Sequence, residues 1–160
     1  MHELTLPDAH QAEKWLERAG IPFYLCEHCH GLHLSDLQEH DGVADARLFP
    51  EDQGLLLMLD LELRPSAVLF IQADTPRMNM MYPGLKIFPE VNDETLPRLM
   101  VGDLLLTGRG VTFEQFTGFV QETVDAALQL LNECLQQGIC GWPEDEADGQ
   151  GEISTPNALH

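Results

Sequence analysis

Positive charge is scarce in this chain. Eight Lys and Arg residues stand against 27 Asp and Glu residues, which gives a formal net charge of −19 over 160 residues. Beyond Arg109 the sequence contains no Lys or Arg. A surface of this sign repels phosphate backbones and anionic lipid headgroups, and it attracts basic or neutral partners. We therefore expect no direct nucleic-acid binding and no association with a membrane.

Long apolar runs are lacking as well. The longest, residues 55–61, is interrupted by Asp60 and falls far short of the ~20 residues that span a bilayer. The first residues of the sequence do not show a basic segment followed by an apolar stretch, which is the pattern of a secretory signal. These features predict a cytoplasmic protein.

Complete catalytic motifs are also missing from the sequence. It contains no nucleophile elbow, P-loop or dinucleotide fingerprint. Asp41, Asp45, Asp60 and Glu62 do not follow the spacing of a calcium-binding loop. Carboxylates are numerous, but none is paired in a frame typical of acid–base catalysis. We expect a protein that is not an enzyme and that, apart from the metal considered below, has no cofactor.

The elements that are present predict the order α-β-β-β-α-β-β-α. Asp8 and Gly20 bound the first helix, Leu59 and Leu61 alternate with Asp60 in the most regular strand, and residues 43–48 are extended. The other predicted elements are strands at 21–25, 32–34, 85–88 and 99–106, a helix at 65–81 that contains Pro76, and a final helix from Thr112 to Gly138.

Short connections between neighbouring strands favour an antiparallel sheet. We predict an α+β fold in which this sheet packs against the helices. The length suits a single domain over residues 1–142. Residues 143–160 are acidic and nearly free of large apolar side chains, so we expect a solvated tail there.

Two of the four cysteines form the one cluster with metal-ligand spacing. Cys26 and Cys29 lie two residues apart in a predicted hairpin turn, where two thiolates can hold one side of a tetrahedral Zn²⁺ ion. His30 or His33 would supply a third ligand. The candidates for a fourth ligand are His40, Cys134 and Cys140.

A single CxxC pair leaves three interpretations open. In the first, the cysteines are small, half-buried residues of a tight hairpin and bind nothing. In the second, Cys26, Cys29 and His33 bind zinc. In the third, Cys26 and Cys29 form a redox-active dithiol, although such pairs usually lie at the start of a helix.

The last predicted helix is apolar over more than half of its circumference. Such a helix is either deeply buried or shared with a partner. Phe113, Phe116 and Phe119 cannot all lie on the same face of the helix, so one of them is a candidate for an outward position. Burial against the sheet and a contact with a protein partner or a second copy of the chain both remain open. We take these three residues as candidates for protein binding.

Several blocks of the sequence resemble the YbjN family of enterobacterial proteins, which has an AmyR branch in plant-associated bacteria. The resemblance covers roughly residues 8 to 137. The blocks are Trp15-Leu16 with Gly20, Cys26-x-x-Cys29 with Leu32-His33-Leu34, Asp41-Gly42-Val43-x-Asp45-Ala46, Arg64-Pro65-Ser66-Ala67-Val68-Leu69, Leu96-Pro97-x-Leu99, and Gly110-Val111-Thr112-x-Glu114-Gln115-Phe116-x-x-Phe119-Val120, and Leu159-His160 also resembles the end of the family's chains.

This resemblance implies a fold similar to that of class I type III secretion chaperones. It also implies a regulatory role, since family members resemble negative regulators of exopolysaccharide production, motility and stress responses. It implies no catalytic residue and no cofactor. Fold and function separate easily, so the chaperone-like fold does not by itself predict a secretion chaperone.

The composition and the resemblance together predict a regulatory protein that acts by binding another protein, with a basic partner favoured by the charge. Two alternatives remain. One is a zinc- or redox-sensing module centred on Cys26 and Cys29, and the other is a chaperone for a secreted or basic client, which would act as a homodimer.

Overall fold

The computed structural model describes residues 3–141, and the predicted tail at 143–160 lies outside these residues. The helices are α1 (Ala9–Ala19), α2 (Ser35–Gln38), α3 (Val68–Met81) and α4 (Phe113–Gln136), with a short 3-10 helix (Pro65–Ala67) before α3. The strands are β1 (Phe23–Leu25), β2 (Leu32–Leu34), β3 (Val43–Glu51), β4 (Gly54–Glu62), β5 (Lys86–Glu90) and β6 (Arg98–Leu106).

These strands form one antiparallel sheet in the order β1-β2-β3-β4-β6-β5. The predicted α+β fold, with an antiparallel sheet packed against helices, is confirmed. The segment predicted to be extended at 43–48 belongs to strand β3, which pairs with β4 and has a shift in register between Val43 and Asp45. The four-residue helix α2 was not predicted, because one helical turn leaves almost no periodicity in a sequence.

The ends of α1 and α4 follow the predicted capping chemistry. The Asp8 side chain accepts a hydrogen bond from the Gln11 backbone N–H, and Gly20 ends α1 with a left-handed φ of 71°. At the start of α4, Thr112 and Gln115 exchange the two reciprocal bonds of a capping box. At its end the structure places the cap at Gln137, one residue before the predicted Gly138.

One face of the sheet carries the hydrophobic core. Leu55, Leu57, Leu59 and Leu61 point to this face from β4 and are fully buried. The core also takes in the buried side chains of α1, α3 and α4. Burying a leucine side chain contributes roughly 1.5–3 kcal/mol. The strand pattern that the sequence shows most clearly therefore lies at the centre of the fold.

Helix α3 lies along the edge strand β5. The Asn79 side chain donates to the Ile87 carbonyl and accepts from the Ile87 backbone N–H, each at 2.9 Å. Pro76 lies inside this helix, as predicted. Because Asn79 pairs with backbone groups that an edge strand leaves free, it protects this edge from pairing with another chain.

Among residues 3–141, the helices α1, α3 and α4 do not pack against the opposite face of the sheet, which we call the open face, and Gln38 of α2 reaches its edge at Tyr24 and Asp45. One row of residues in register crosses it through all six strands: Tyr24, His33, Arg47, Met58, Gly102 and Lys86. Met58 and Met100 are buried on this face without joining the hydrophobic core. The buried side chains of α1, α3 and α4 all belong to the other face.

Candidate functional site

The β1–β2 hairpin positions the two cysteines of the CxxC pair. Leu25 and Leu32 close the hairpin as register partners, and the loop between them contains Cys26 and Cys29. Gly31 lies beneath the ring of Phe49 on β3, where a Cβ atom would approach the ring to 2.9 Å. The loop is therefore held close to the sheet, with its cysteines beside the open face.

Three donor atoms meet at this position. The Sγ atoms of Cys26 and Cys29 lie 3.1 Å apart, and Nε2 of His33 lies 3.1 Å from Cys26 Sγ and 3.2 Å from Cys29 Sγ. Both cysteines are free thiols and half-buried, and His33 is buried. We call these three residues the thiol–imidazole cluster. The structure thus brings together all three predicted metal ligands.

A carboxylate holds the imidazole ring from its other side. Nδ1 of His33 lies 3.0 Å from Oδ1 of Asp45, which also accepts from Gln38 Nε2 at 2.6 Å and from the Ala46 backbone N–H at 2.8 Å. The Tyr24 hydroxyl donates to Gln38 Oε1 at 2.9 Å. An N–H at Nδ1 donates to Asp45, and this leaves the lone pair of Nε2 directed at the two sulfurs.

The ring of Tyr24 completes this arrangement. It stacks on the His33 ring with 4.7 Å between ring centroids and 10° between the planes. Tyr24 therefore restrains the imidazole by stacking and, through Gln38, by hydrogen bonding. The ring of His33 is fixed on three sides before any ligand binds.

Hydrogen bonds shift the pKa values within the cluster. The bond from Cys29, with smaller help from the His28 backbone and from His33, lowers the pKa of Cys26 to about 6. Burial opposes the charged form of His33, but the bonds with Cys26 and Asp45 outweigh burial and raise its pKa. Burial likewise opposes ionised Asp45, yet its bonds from His33, Gln38 and Ala46 lower its pKa. Without a metal, these shifts favour a thiolate at Cys26 beside a protonated His33, whose Nε2–H donates to the sulfur, and only the neutral ring directs a lone pair at the sulfurs.

This set of donors permits two kinds of chemistry. Two thiolates and an imidazole are ligands that Zn²⁺ and similar metals prefer over the oxygen ligands of calcium or magnesium. The same two thiols, 3.1 Å apart, also lie close enough to form a disulfide if an oxidant is present. Among residues 3–141, this is the only group of three or more His, Cys, Asp or Glu residues arranged to hold a metal ion.

The predicted fourth ligands do not reach the cluster. Cys134 and Cys140 are both buried in the hydrophobic core, and their mutual hydrogen bond raises the pKa of Cys140 well above its usual range. His40 lies beside Leu131 and Leu135 of α4. His30 is not part of the donor set either. The prediction that one of these residues completes a zinc site is therefore wrong for the described residues.

The three phenylalanines of α4 also differ from the prediction in part. Phe116 is fully buried and its ring centroid lies 5.2 Å from that of Trp15. It offers no surface to a partner, so its assignment to protein binding is wrong. Phe113 and Phe119 are half-buried and pack against the core, and the Arg18 guanidinium lies 3.9 Å over the Phe113 ring. The helix is apolar over a wide arc because it lies on the sheet.

An ionic network lies next to the cluster on the open face. Asp60 Oδ2 accepts from Arg47 at 3.0 Å and from Arg98 at 3.4 Å, and Arg47 also lies 3.4 Å from Asp45. Burial of the Asp60 side chain raises its pKa despite the two arginines. Asp60 Oδ1 is buried and has no hydrogen-bond partner among the described residues. A buried oxygen without a partner costs free energy unless another molecule supplies a donor.

Apolar side chains occupy the remaining part of the open face. Leu56 and Leu104 are register partners, as are Met58 and Gly102, and Met100 lies beside Phe88. Gly102 leaves room for Met58, because a Cβ atom there would overlap the Met58 sulfur. Phe88 remains 40% exposed and Leu106 remains 68% exposed. The alternation of Leu and Asp in β4 predicted a second face, and Leu56 and Met58, at alternate positions before Asp60, make that face apolar.

Comparisons with known proteins agree on one family. The YbjN family model, described as "Putative bacterial sensory transduction regulator", matches residues 9–136. The chain is 33% identical over 160 residues, covering all of both chains, to "Uncharacterized protein YbjN" of Escherichia coli K12, and equally to its Shigella flexneri counterpart. It is also similar to the solved structure described as "Crystal structure of YbjN, a putative transcription regulator from E. coli", with a TM-score of 0.83, 33% identity, and coverage of 86% of this chain and 98% of that chain.

No helix within residues 3–141 combines the length and the apolar character that a membrane-spanning helix requires.

Proposed function

Because this chain belongs to the YbjN family, which is described as a family of bacterial regulators, we propose that it is a regulatory protein that acts by binding another protein. The binding surface in this proposal is the open face of the sheet. One observation carries it: apolar side chains remain exposed on a sheet face against which α1, α3 and α4 do not pack. Soluble monomers rarely leave large apolar patches uncovered without a function.

The composition of the open face supports this proposal. Met58 packs against Gly102, and the register partners Leu56 and Leu104 lie beside it, so the centre of the face is apolar. Lys86 and Arg47 flank it in the same row. An apolar centre with a polar rim is the usual arrangement of a protein interface.

The charge of the chain supports a basic partner over a second copy of the same chain. Two copies would bring together two chains of net charge −19, which repel each other at long range. A partner with basic residues around an apolar patch would be attracted to the acidic surface and would associate faster. We therefore propose a basic protein, rather than a second copy, as the partner of the open face, where Glu62 and Glu90 flank Arg98 in register.

The regulated process follows from the family resemblance and belongs to the same proposal. It comprises exopolysaccharide production, motility and stress responses, on which the protein would act as a negative regulator by sequestering its partner. In this proposal the protein performs no chemical step of its own.

Site-specific photo-crosslinking in the source cells tests the binding surface. A photoreactive residue at position 88 or 104 lies on the open face, and the matched control is position 69 on α3, where Leu69 is 80% exposed but lies off that face. We expect one basic protein to be crosslinked from positions 88 and 104 and not from 69. Crosslinks to a second copy, or equal crosslinks from all three positions, would overturn the proposal.

A complementation experiment tests the regulatory role. Leu104→Glu places a charge in the apolar part of the open face, whereas Leu69→Glu places the same charge on exposed α3. In a deletion strain, we expect the Leu69→Glu protein to restore normal exopolysaccharide output and motility, and the Leu104→Glu protein to fail at equal abundance. Full restoration by both variants would contradict the role of the open face.

A further inference from the structure

We propose that Cys26, Cys29 and His33 bind one Zn²⁺ ion, with the fourth coordination position open to an exchangeable ligand. This site is independent of the proposed partner and can be tested on the isolated protein. Three features of the described residues support it: the donor atoms, the groups that orient them, and the absence of a further ligand nearby.

The donor atoms already form a compact triangle. The three distances between Cys26 Sγ, Cys29 Sγ and His33 Nε2 are 3.1, 3.1 and 3.2 Å. Tetrahedral coordination with Zn–S bonds of ~2.3 Å separates two sulfurs by about 3.8 Å. Metal binding would therefore spread the sulfurs by several tenths of an ångström. Both cysteines lie in the hairpin loop and not in a strand, so a small shift of the loop is sufficient.

The groups around His33 resemble those that orient a metal-binding histidine. Such histidines usually donate their second ring N–H to a carboxylate or a carbonyl, which fixes the ring and makes the ligand nitrogen more basic. Asp45 takes this position at 3.0 Å, and Gln38 holds the same carboxylate oxygen at 2.6 Å. A hairpin whose cysteines served only as small apolar residues would have no need of this arrangement. The buried imidazole and its carboxylate thus point to a ligand beside Nε2.

The ligand set decides the class of metal and the kind of site. Two sulfurs and one nitrogen favour Zn²⁺ over Ca²⁺ and Mg²⁺, which require oxygen ligands. Structural zinc sites are closed by four protein ligands, whereas a site with three keeps one position for water or another ligand. Among residues 3–141 no fourth Cys, His, Asp or Glu joins the cluster. We therefore assign an open site whose fourth ligand comes from solvent or from a bound molecule.

Titration of the reduced, metal-free, full-length protein with Co²⁺ tests this assignment. Cobalt in a site with two thiolates gives a sulfur-to-metal charge-transfer band and the strong visible bands of tetrahedral coordination. We expect these bands to saturate at one equivalent and to disappear when Zn²⁺ is added. A reduced protein with four free thiols that shows no such bands would overturn the assignment.

Variants locate the ligands. Cys26→Ser, Cys29→Ser and His33→Gln should each abolish the tetrahedral spectrum, while His30→Gln, a change in the same loop but outside the cluster, should leave it unchanged. Retention of the spectrum in Cys29→Ser, or its loss in His30→Gln, would contradict the proposed ligands.

Alkylation of the wild-type protein tests the site without any variant, so its result does not depend on whether a variant folds. Zinc should protect Cys26 and Cys29 from alkylation by iodoacetamide and slow their modification at least tenfold. Equal alkylation of both cysteines with and without zinc would overturn the proposal.

Discussion

Nδ1 of His33 lies 3.0 Å from Oδ1 of Asp45, although the two residues lie twelve positions apart on different strands. The carboxylate determines which ring nitrogen of His33 faces the two sulfurs. Asp45 also lies 3.4 Å from Arg47, and through Arg47 it connects the cysteine-bearing hairpin to the ionic network of Asp60 on the open face. A single hydrogen bond thus connects the candidate metal site with the proposed binding surface.

Replacement of Asp45 tests the role of this hydrogen bond. Asp45→Asn keeps the size of the side chain but removes the charge that fixes the His33 ring. We expect Co²⁺ affinity to fall by about 10- to 100-fold with a tetrahedral spectrum retained at saturation. The control is Asp41→Asn, which removes the same negative charge at an exposed position and should leave the affinity unchanged. Equal affinity in the Asp45→Asn and wild-type proteins would show that Asp45 does not orient the ligand.

Gly102 tests the packing of the open face. A Cβ atom at this position would overlap the Met58 sulfur and would lie 2.8 Å from the Leu57 carbonyl oxygen, which is backbone and cannot turn away. Gly102→Ala should therefore destabilise the protein by about 1–3 kcal/mol in urea unfolding. Gly108→Ala is the matched control, since no atom lies within 4 Å of its Cβ position. A free energy of unfolding for Gly102→Ala equal to that of Gly108→Ala would contradict the described packing.

Asn79 tests the protection of the sheet edge. Its side-chain amide satisfies both the N–H and the carbonyl of Ile87 on β5. Asn79→Ala should lower the free energy of unfolding by about 1–3 kcal/mol, because two backbone groups lose their partner. The exposed residue Asn132 on α4 provides the control change Asn132→Ala. If both variants unfold at the same urea concentration, the side chain of Asn79 does not stabilise the edge.

The pH dependence of stability tests the environment of Asp60. Burial raises the pKa of this carboxyl in the folded chain, although Arg47 and Arg98 oppose the shift. The stability that Asp60 contributes is therefore complete below its unfolded pKa of about 3.9 and is lost as the pH rises through the folded pKa. Asn at position 60 does not titrate. As the pH rises from about 3.5 to about 7, we expect the wild-type protein to lose stability relative to the Asp60→Asn variant.

The control for this measurement is Asp93→Asn, which changes the net charge by the same amount at an exposed position in the loop between β5 and β6. Urea unfolding at several pH values gives the free energy of unfolding of each variant relative to the wild-type protein. A shift in favour of the wild-type protein with rising pH would mean that the two arginines outweigh burial and lower the pKa of Asp60.

Local patterns were sufficient to predict most elements of the fold. The capping residues Asp8 and Thr112 mark the starts of α1 and α4, and the alternation around Asp60 marks β4. These signals depend on neighbours in the sequence, so they can be read without the tertiary structure. Helix α2 escaped prediction because a helix of four residues depends on the contacts of Leu37 and Gln38 with the rest of the fold.

The candidate site was only partly predictable. The spacing of Cys26, Cys29 and His33 indicated a metal site, because all three lie in one hairpin. Asp45 and Tyr24 were missed as partners of His33, since their contacts depend on the register of β1 and β3 against β2. Arg47 is the register partner of His33, and Asp45 lies two residues earlier on the same face of β3, so only the diagonal contact across the two strands identifies it.

The assignment of protein binding to Phe116 failed for a related reason. A helix that is apolar over a wide arc has the same sequence pattern whether it lies on a sheet or faces a partner. The structure places Phe116 in the core, whereas Phe88 and Leu106 on the open face remain 40% and 68% exposed. Only the topology of the sheet distinguishes the two cases.

The central claim is that a basic protein binds to the open face, and native mass spectrometry tests it most directly. The untagged wild-type, Leu104→Glu and Leu69→Glu proteins would be isolated gently from their own cells at equal abundance. We predict that the wild-type and Leu69→Glu chains carry one basic protein at fixed stoichiometry and that the Leu104→Glu chain does not. A complex that persists in Leu104→Glu, or a wild-type chain found only as a monomer or paired with itself, would contradict it.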